Sequence, residues 1–255
     1  MASYIDTLSG TAKANAAILI QRMKDRGITN LHTQAGVLAV VSKESGFIPK
    51  MENLNYTAAN LTKIFGIPPA TAITLVGDQK KIGDYVYGPI KNPSLGNGHG
   101  EGYKYRGAGF NQLTGKANYK KYGTLVGVDL VSNPEKINDV KVASDVVIEF
   151  FKNGITSLKN LGKLSQYNAT NINDFKSAKD SLDAIYHINA GTGSTKAKLD
   201  ADVTGGRAKA RERLNDIVGF VNNISGVIKN NLGKTIGITL LLGSVLFGII
   251  YFANK

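Results

Sequence analysis

Apolar positions in the first part of the chain recur at helical spacing. Ala16, Ala17, Leu19, Ile20 and Met23 give one apolar face to a helix over 12–26, which Gly27 ends. A second helix is expected over 31–43. Its run Val37-Leu38-Ala39-Val40-Val41 is apolar on nearly every side, and a helix of that kind is normally buried. The run closes on one acid, Glu44, and breaks at Gly46. Thr57 can cap a short helix to residue 65, and residues 70–81 form another. Between 83 and 115 the helical period disappears. Glycines recur, Pro89 and Pro93 interrupt, and Tyr85, Tyr87, Tyr103 and Tyr105 are interleaved with Lys91, Lys104 and Arg106. A loop of that length inside a compact domain is uncommon unless it is functional, so it is the expected cleft wall. Helical character returns over 118–122. Asn133-Pro134-Glu135 starts a helix whose stripe is Ile137, Val140, Val147, Ile148 and Phe151, with Gly154 as its stop. Asn173 caps another, with Phe175, Ala178, Leu182 and Ile185 inward, and 207–221 is the last. No internal repeat is present, against a solenoid. The pattern predicts a mainly α domain over 1–224 with one glycine-rich irregular lobe.

Residues 225–234 read as a linker. From Thr235 to Asn254 there is no charge, with Lys234 and Lys255 on either side. About 20 uncharged residues is the length that crosses a bilayer. The pattern predicts a single-pass C-terminal transmembrane helix over 235–255, with Tyr251 at the interface and Ser244 and Gly248 as a small-residue pair. The competing reading, a buried core helix, would normally keep a polar stripe. A membrane location, with lipid as a partner through this helix, follows from the first reading.

Charge narrows the partners. The 255-residue chain has a formal net charge of +12 and a pI near 9.6. Such a chain is drawn to polyanions such as an acidic wall polymer or an anionic membrane face. Its lysines and arginines are spread out instead of forming one stripe, so sequence-specific nucleic-acid binding is not expected. Cysteine is absent, and His32, His99 and His187 lack ligand spacing, so no metal or other cofactor is expected. The glycines at 96–102 follow no strand and open no helix, against a dinucleotide loop. The first ten residues carry Asp6 and no basic cluster, so no secretory leader is expected.

Glu44 then becomes a candidate proton donor. Burial disfavours its charged form, and so does the negative end of the helix dipole. Both favour the protonated state that a general acid needs. In the alternative reading Glu44 simply points to water past the helix end. A second acid, Glu52, lies eight residues on, across Gly46 and Pro49. A helix end followed by a returning loop can set two carboxylates across a groove, the arrangement that glycoside hydrolysis uses. Residues 103–119 supply Tyr, Arg, Asn, Gln and Thr side chains able to bond sugar hydroxyls and acetamido groups.

Four separated blocks carry a more specific resemblance. They are Glu44-Ser45-Gly46-Phe47, Glu52-Asn53-Leu54-Asn55-Tyr56-Thr57-Ala58, the run from Gly102 to Gly115, and Ala117-Asn118-Tyr119. In this order they resemble the family-19 chitinase-like glycoside hydrolases, most of all their bacteriophage endolysin branch. Asn133-Pro134-Glu135 and Ile188-Asn189-Ala190-Gly191 fit the later part, so the resemblance covers residues 12–220. It implies a lysozyme-like helical fold with two lobes and a cleft. It implies Glu44 as general acid, Glu52 as general base and Thr114 as a holder of the attacking water. Tyr105, Arg106, Gln112, Asn118 and Asn189 would line the saccharide cleft. Tyr105 and Arg106 have packing as their other reading, and Asn189 has capping of its own helix.

Two positions depart from the family pattern. Lys43 stands where the family has His, and Ala108 replaces the second arginine of Arg-Gly-Arg-Gly. An ammonium beside Glu44 would oppose its proton, but adjacent helix positions point apart, so a small effect is expected. The implied activity is hydrolysis of β-1,4 bonds in peptidoglycan. Chitin cleavage, or a non-catalytic wall-binding virion protein, are the alternatives. With the expected anchor, the resemblance implies a phage virion membrane or host inner membrane, a role in genome delivery or lysis, and other virion proteins among the partners.

Overall fold

The computed structural model describes residues 3–201, 205–231, 239–242 and 245–248. Its helices follow in order as α1 (Tyr4–Thr7), α2 (Gly10–Asp25), α3 (Leu31–Ser45), α4 (Ala58–Phe65), α5 (Pro69–Leu75), α6 (Gln79–Val86), α7 (Lys116–Val126), α8 (Val140–Asn160), α9 (Ala178–Asn189), α10 (Lys196–Asp200), α11 (Gly206–Glu212) and α12 (Leu214–Asn231). The mainly α expectation agrees with this order. The membrane-spanning part of it does not.

α3 is the axis of the large lobe. Asn30 Oδ1 accepts the Thr33 N–H at 2.9 Å and starts the helix. Val37, Leu38, Val40 and Val41 are each at most 1% exposed, and each such burial contributes roughly 1.5–3 kcal/mol. α3 packs chiefly against α9, then α12, in a core that α2 and α8 extend. Gly36 sits at the α3–α9 contact. A Cβ there would lie 2.2 Å from Ser181 Oγ and 2.7 Å from the Leu182 nitrogen, so the helices meet where a side chain is missing. α3 stops at Gly46, whose φ of 58° suits glycine. Phe47 follows at φ 63°, a left-handed conformation that costs a non-glycine residue about 1–2 kcal/mol. Full burial of its ring and a 2.9 Å bond from Asn15 Nδ2 to its carbonyl offset that cost. This reversal turns the chain from Glu44 back toward Glu52.

The second lobe holds two apolar clusters. α4, α5 and α6 close around Leu54, Leu61, Ile67, Ile82 and Val86. The segment from 87 to 115 contains one turn of 3-10 helix at Pro93–Leu95 and one bridge between Ala108 and Leu113. It packs with α7 around Tyr105, Tyr119, Leu130 and Ile137.

Several element limits differ from expectation. Residues 70–81 are divided between two helices, α5 and α6, with 76–78 outside both. Asp139, and not Asn133, caps α8, accepting the Lys141 and Val142 N–H groups. Gly154 is no stop: it lies within α8, where a Cβ would meet Ile188 Cγ2 at 2.2 Å. Ser177 caps α9, while Asn173 Oδ1 accepts the N–H groups of Thr29 and Asn30. α12 runs on through 225–231, the first part of the expected linker.

The C-terminal expectation is overturned. Among the described residues no helix is long and apolar enough to cross a membrane. The run over 235–255 contributes two strands instead, β1 (Thr239–Leu242) and β2 (Val245–Gly248). They pair antiparallel, Thr239 opposite Gly248 and Leu242 opposite Val245. The rest of that run lies outside the described residues. The sequence contains a reason for the difference. Each of the two apolar stretches, Thr239–Leu242 and Val245–Gly248, is long enough for a strand and too short to cross a bilayer. The single-pass anchor, and the membrane location inferred from it, are therefore withdrawn.

Candidate active site

Glu44 lies in the last turn of α3 with its side chain 18% exposed, at the edge of the large core. Its Oε1 accepts from Asn189 Nδ2 at 3.0 Å. Asn189 is the last residue of α9, so the close α3–α9 packing brings these two helix ends together. The same Oε1 accepts from Lys43 Nζ at 2.9 Å. Adjacent helix positions therefore do not keep the Lys43 and Glu44 side chains apart. The long lysine stem returns to the helix end even though the two Cβ directions diverge. Gly206 gives it room, since a Cβ there would lie 2.6 Å from Lys43 Cε. Among the described residues, no protein donor reaches Glu44 Oε2.

Glu52 belongs to no helix or strand, and other segments fix it. Its N–H donates to the Gly107 carbonyl at 2.7 Å, and its carbonyl accepts from Arg106 Nε at 2.9 Å. Arg106 also donates to the Tyr103 carbonyl and lies 3.8 Å over the Tyr103 ring, a cation–π contact. Arg106 thus grips the main chain of Glu52. The Glu52 carboxylate is held from the other side, where the Tyr87 hydroxyl donates to Oε2 at 2.7 Å. Burial, reinforced by this bond to Glu52, raises the Tyr87 phenol well above the ordinary tyrosine range, so Tyr87 is a proton-bearing donor.

The side-chain oxygens of Gln112, Glu52 and Thr114 converge beside Gly107. A Cβ on Gly107 would lie 3.0 Å from Gln112 Oε1, 3.3 Å from Glu52 Oε2 and 3.4 Å from Thr114 Oγ1. Gln112 adopts φ 52°, and its Nε2 donates to the Lys50 and Gly109 carbonyls. Asn118 Nδ2 donates to the Thr114 carbonyl at 2.7 Å and braces the same turn. Tyr105 stands apart from this group. It is 1% exposed, its ring meets Tyr119 edge-on, and its hydroxyl donates to the Val131 carbonyl at 3.0 Å. Of its two readings, packing is the one that matches this position. Ala108 is fully buried and pairs with Leu113 through both backbone groups, so a backbone bridge closes the loop where the family has a second arginine.

Tyr87 was visible in the sequence only as one of four interleaved tyrosines. No local pattern says that it reaches a carboxylate 35 positions away. The Asn189 contact with Glu44 spans 145 positions and is equally hidden. Chemically, each carboxylate has one oxygen engaged by donors and one that no described residue occupies. Two such carboxylates, where they face each other across a glycosidic bond, deliver a proton at one side and take one up at the other.

Glu44 and Glu52 thus stand on a mainly α frame as two carboxylates, each with donors on one oxygen. The chain is similar to a glycosyl hydrolase family 19 domain-containing protein of Haemophilus influenzae, with 37% identity over 123 residues. The match covers 46% of this chain and 58% of that protein, so the chain spans little more than half the length of the relative it matches. No family profile matches the chain.

Proposed function

We propose that the chain is a lysozyme-like glycoside hydrolase that cleaves β-1,4 bonds of bacterial peptidoglycan, with Glu44 as general acid and Glu52 as general base. The observation that carries this reading is that each carboxylate has one oxygen engaged and one clear of donors among the described residues. Lys43 and Asn189 occupy Glu44 Oε1, so in the acid form the proton sits on Oε2. That proton passes to the glycosidic oxygen as the C1–O bond breaks and its electron pair stays on the oxygen. Water attacks C1 and gives a proton to Glu52. Thr114 Oγ1 and Gln112 Oε1, gathered beside Glu52 at Gly107, are suited to holding that water. After the products leave, Glu52 releases its proton to solvent and Glu44 takes one up, which restores the starting state.

The family-19 similarity supports the reaction class. The net charge of +12 favours an anionic wall over uncharged chitin. The endolysin role rests on the motif blocks alone. Glu44→Gln and Glu52→Gln proteins should bind purified walls yet lose about 10²–10⁴-fold in cleavage rate. Full activity in either variant would refute the assignment. Mass spectrometry of the released sugar ends separates muramidase from glucosaminidase and lytic transglycosylase. Parallel assays on chitin test the other substrate. Wall binding by the wild type with no cleavage of either polymer would leave a non-catalytic binding protein.

A further inference from the structure

The main chain of Glu52 is pinned on both sides, by Gly107 and Arg106, but among the described residues its carboxylate is held by one side chain, that of Tyr87. Tyr87 is itself rigidly placed. Its N–H closes the end of α6 on the Gly83 carbonyl at 2.8 Å, and its carbonyl accepts from Asn97 Nδ2 at 2.7 Å. Asn97 is buried and also accepts the Lys116 N–H at the start of α7. α6 is docked on the segment that grips the Glu52 main chain. Asp84 Oδ1 accepts the Tyr103 N–H at 3.0 Å, and a Cβ on Gly83 would lie 2.7 Å from Tyr103 Cα. The phenol and the Arg106 guanidinium therefore belong to one frame that holds Glu52 from two directions.

We propose that Tyr87 is a positioning residue that locks the rotation of the Glu52 carboxylate, so that the base meets the attacking water in one orientation. The inference rests on Glu52 being the general base. Without the phenol O–H the carboxylate turns freely about its last torsion, where no staggered well confines it. A base displaced by about 1 Å costs on the order of 100-fold in rate.

The test uses the full-length chain, with soluble glycan strands from the wall or chitin oligosaccharides, whichever the wild type cleaves. Tyr87→Phe keeps the ring and removes only the donor. It should lower kcat about 10- to 100-fold with KM and Tm unchanged. Tyr85→Phe, at an exposed neighbouring tyrosine, should change nothing. Glu52→Asp withdraws the carboxylate by one methylene from the phenol, so in that background Tyr87→Phe should cost nothing further. Wild-type kcat in Tyr87→Phe would overturn the inference, as would a raised KM at constant kcat or an equal loss in both backgrounds. Full activity of Glu52→Gln would instead sink the base assignment itself. An inactive Glu52→Gln beside a fully active Tyr87→Phe would remove only the role of Tyr87.

Discussion

Glu44 and Glu52 are eight residues apart and are built in opposite ways. Glu44 lies in the last turn of a helix whose apolar sides fill the large core, and its neighbour Asn189 arrives on a second core helix. Its position is a product of hydrophobic packing. Glu52 has no regular element beneath it, and polar bonds from Tyr87, Arg106 and Gly107 place it. Core packing is cooperative and stiff, so the Glu44 half should fail only when the fold weakens. The Glu52 half hangs on individual hydrogen bonds worth about 0.5–1.5 kcal/mol each, so it should fail in chemistry while the fold survives.

Two glycines make that contrast measurable. At Gly36 an added methyl meets backbone atoms of α9 at 2.7 and 2.8 Å, which cannot turn aside. Gly36→Ala should cost about 1–3 kcal/mol of stability, as overpacking generally does, and lower Tm. Activity should fall with it, because α3 and α9 separate and the Glu44–Asn189 bond loosens. An unchanged Tm would mean that the helix contact does not set that half of the site. At Gly107 the three atoms nearest the methyl are side-chain ends, at 3.0–3.4 Å. Gly107→Ala should leave the thermal midpoint nearly unchanged while cleavage drops on the order of 100-fold, as a misplaced base and water predict. If both variants lost stability in equal measure, the two halves would not differ in kind.

The same contrast explains what the sequence made legible. α3, its burial and Glu44 at its edge follow from the run 37–41 and the stop at Gly46, because helix periodicity and glycine punctuation are local signals. The irregular character of 87–115 was legible for the same reason. The roles of Arg106, Tyr87 and Asn189 were not, because each depends on a contact 35 or more positions away. Tyr105 shows the opposite failure. Its place in a motif suggested the cleft, and its burial puts it in the core. Lys43 shows that Cβ direction is a poor guide for a four-carbon side chain. The uncharged, apolar C-terminal run has the length and hydropathy of a membrane helix, and neither property separates one long helix from two short strands. Ser244 and Gly248 fit a helix-packing pair as well as they fit the ends of short strands, so that signal does not separate the two readings.

One titrating group acts on the Glu44 half alone. His187 precedes Asn189 by two residues on α9 and is fully buried. Its Nδ1 lies 2.6 Å from the Tyr167 hydroxyl and its Nε2 lies 2.8 Å from the Ser194 carbonyl. The carbonyl can only accept, so Nε2 carries the proton and the Tyr167 phenol donates to Nδ1. The imidazole is neutral. Burial lowers its pKa below the ordinary 6.5, and the Lys163 ammonium adds to this. The Ser194 and Thr192 carbonyls work in the other direction. Because the folded pKa is depressed, the unfolded chain binds the proton first as pH falls. The contribution is therefore fully present above about pH 7 and is lost as pH drops through 6.5 toward the lowered folded value. The wild-type Tm should decline over that window. His187→Gln, which cannot titrate, should start lower at pH 7 and decline less steeply. Identical slopes in the two proteins would show that His187 does not fasten the end of α9, and the link from core packing to Asn189 would then need another anchor.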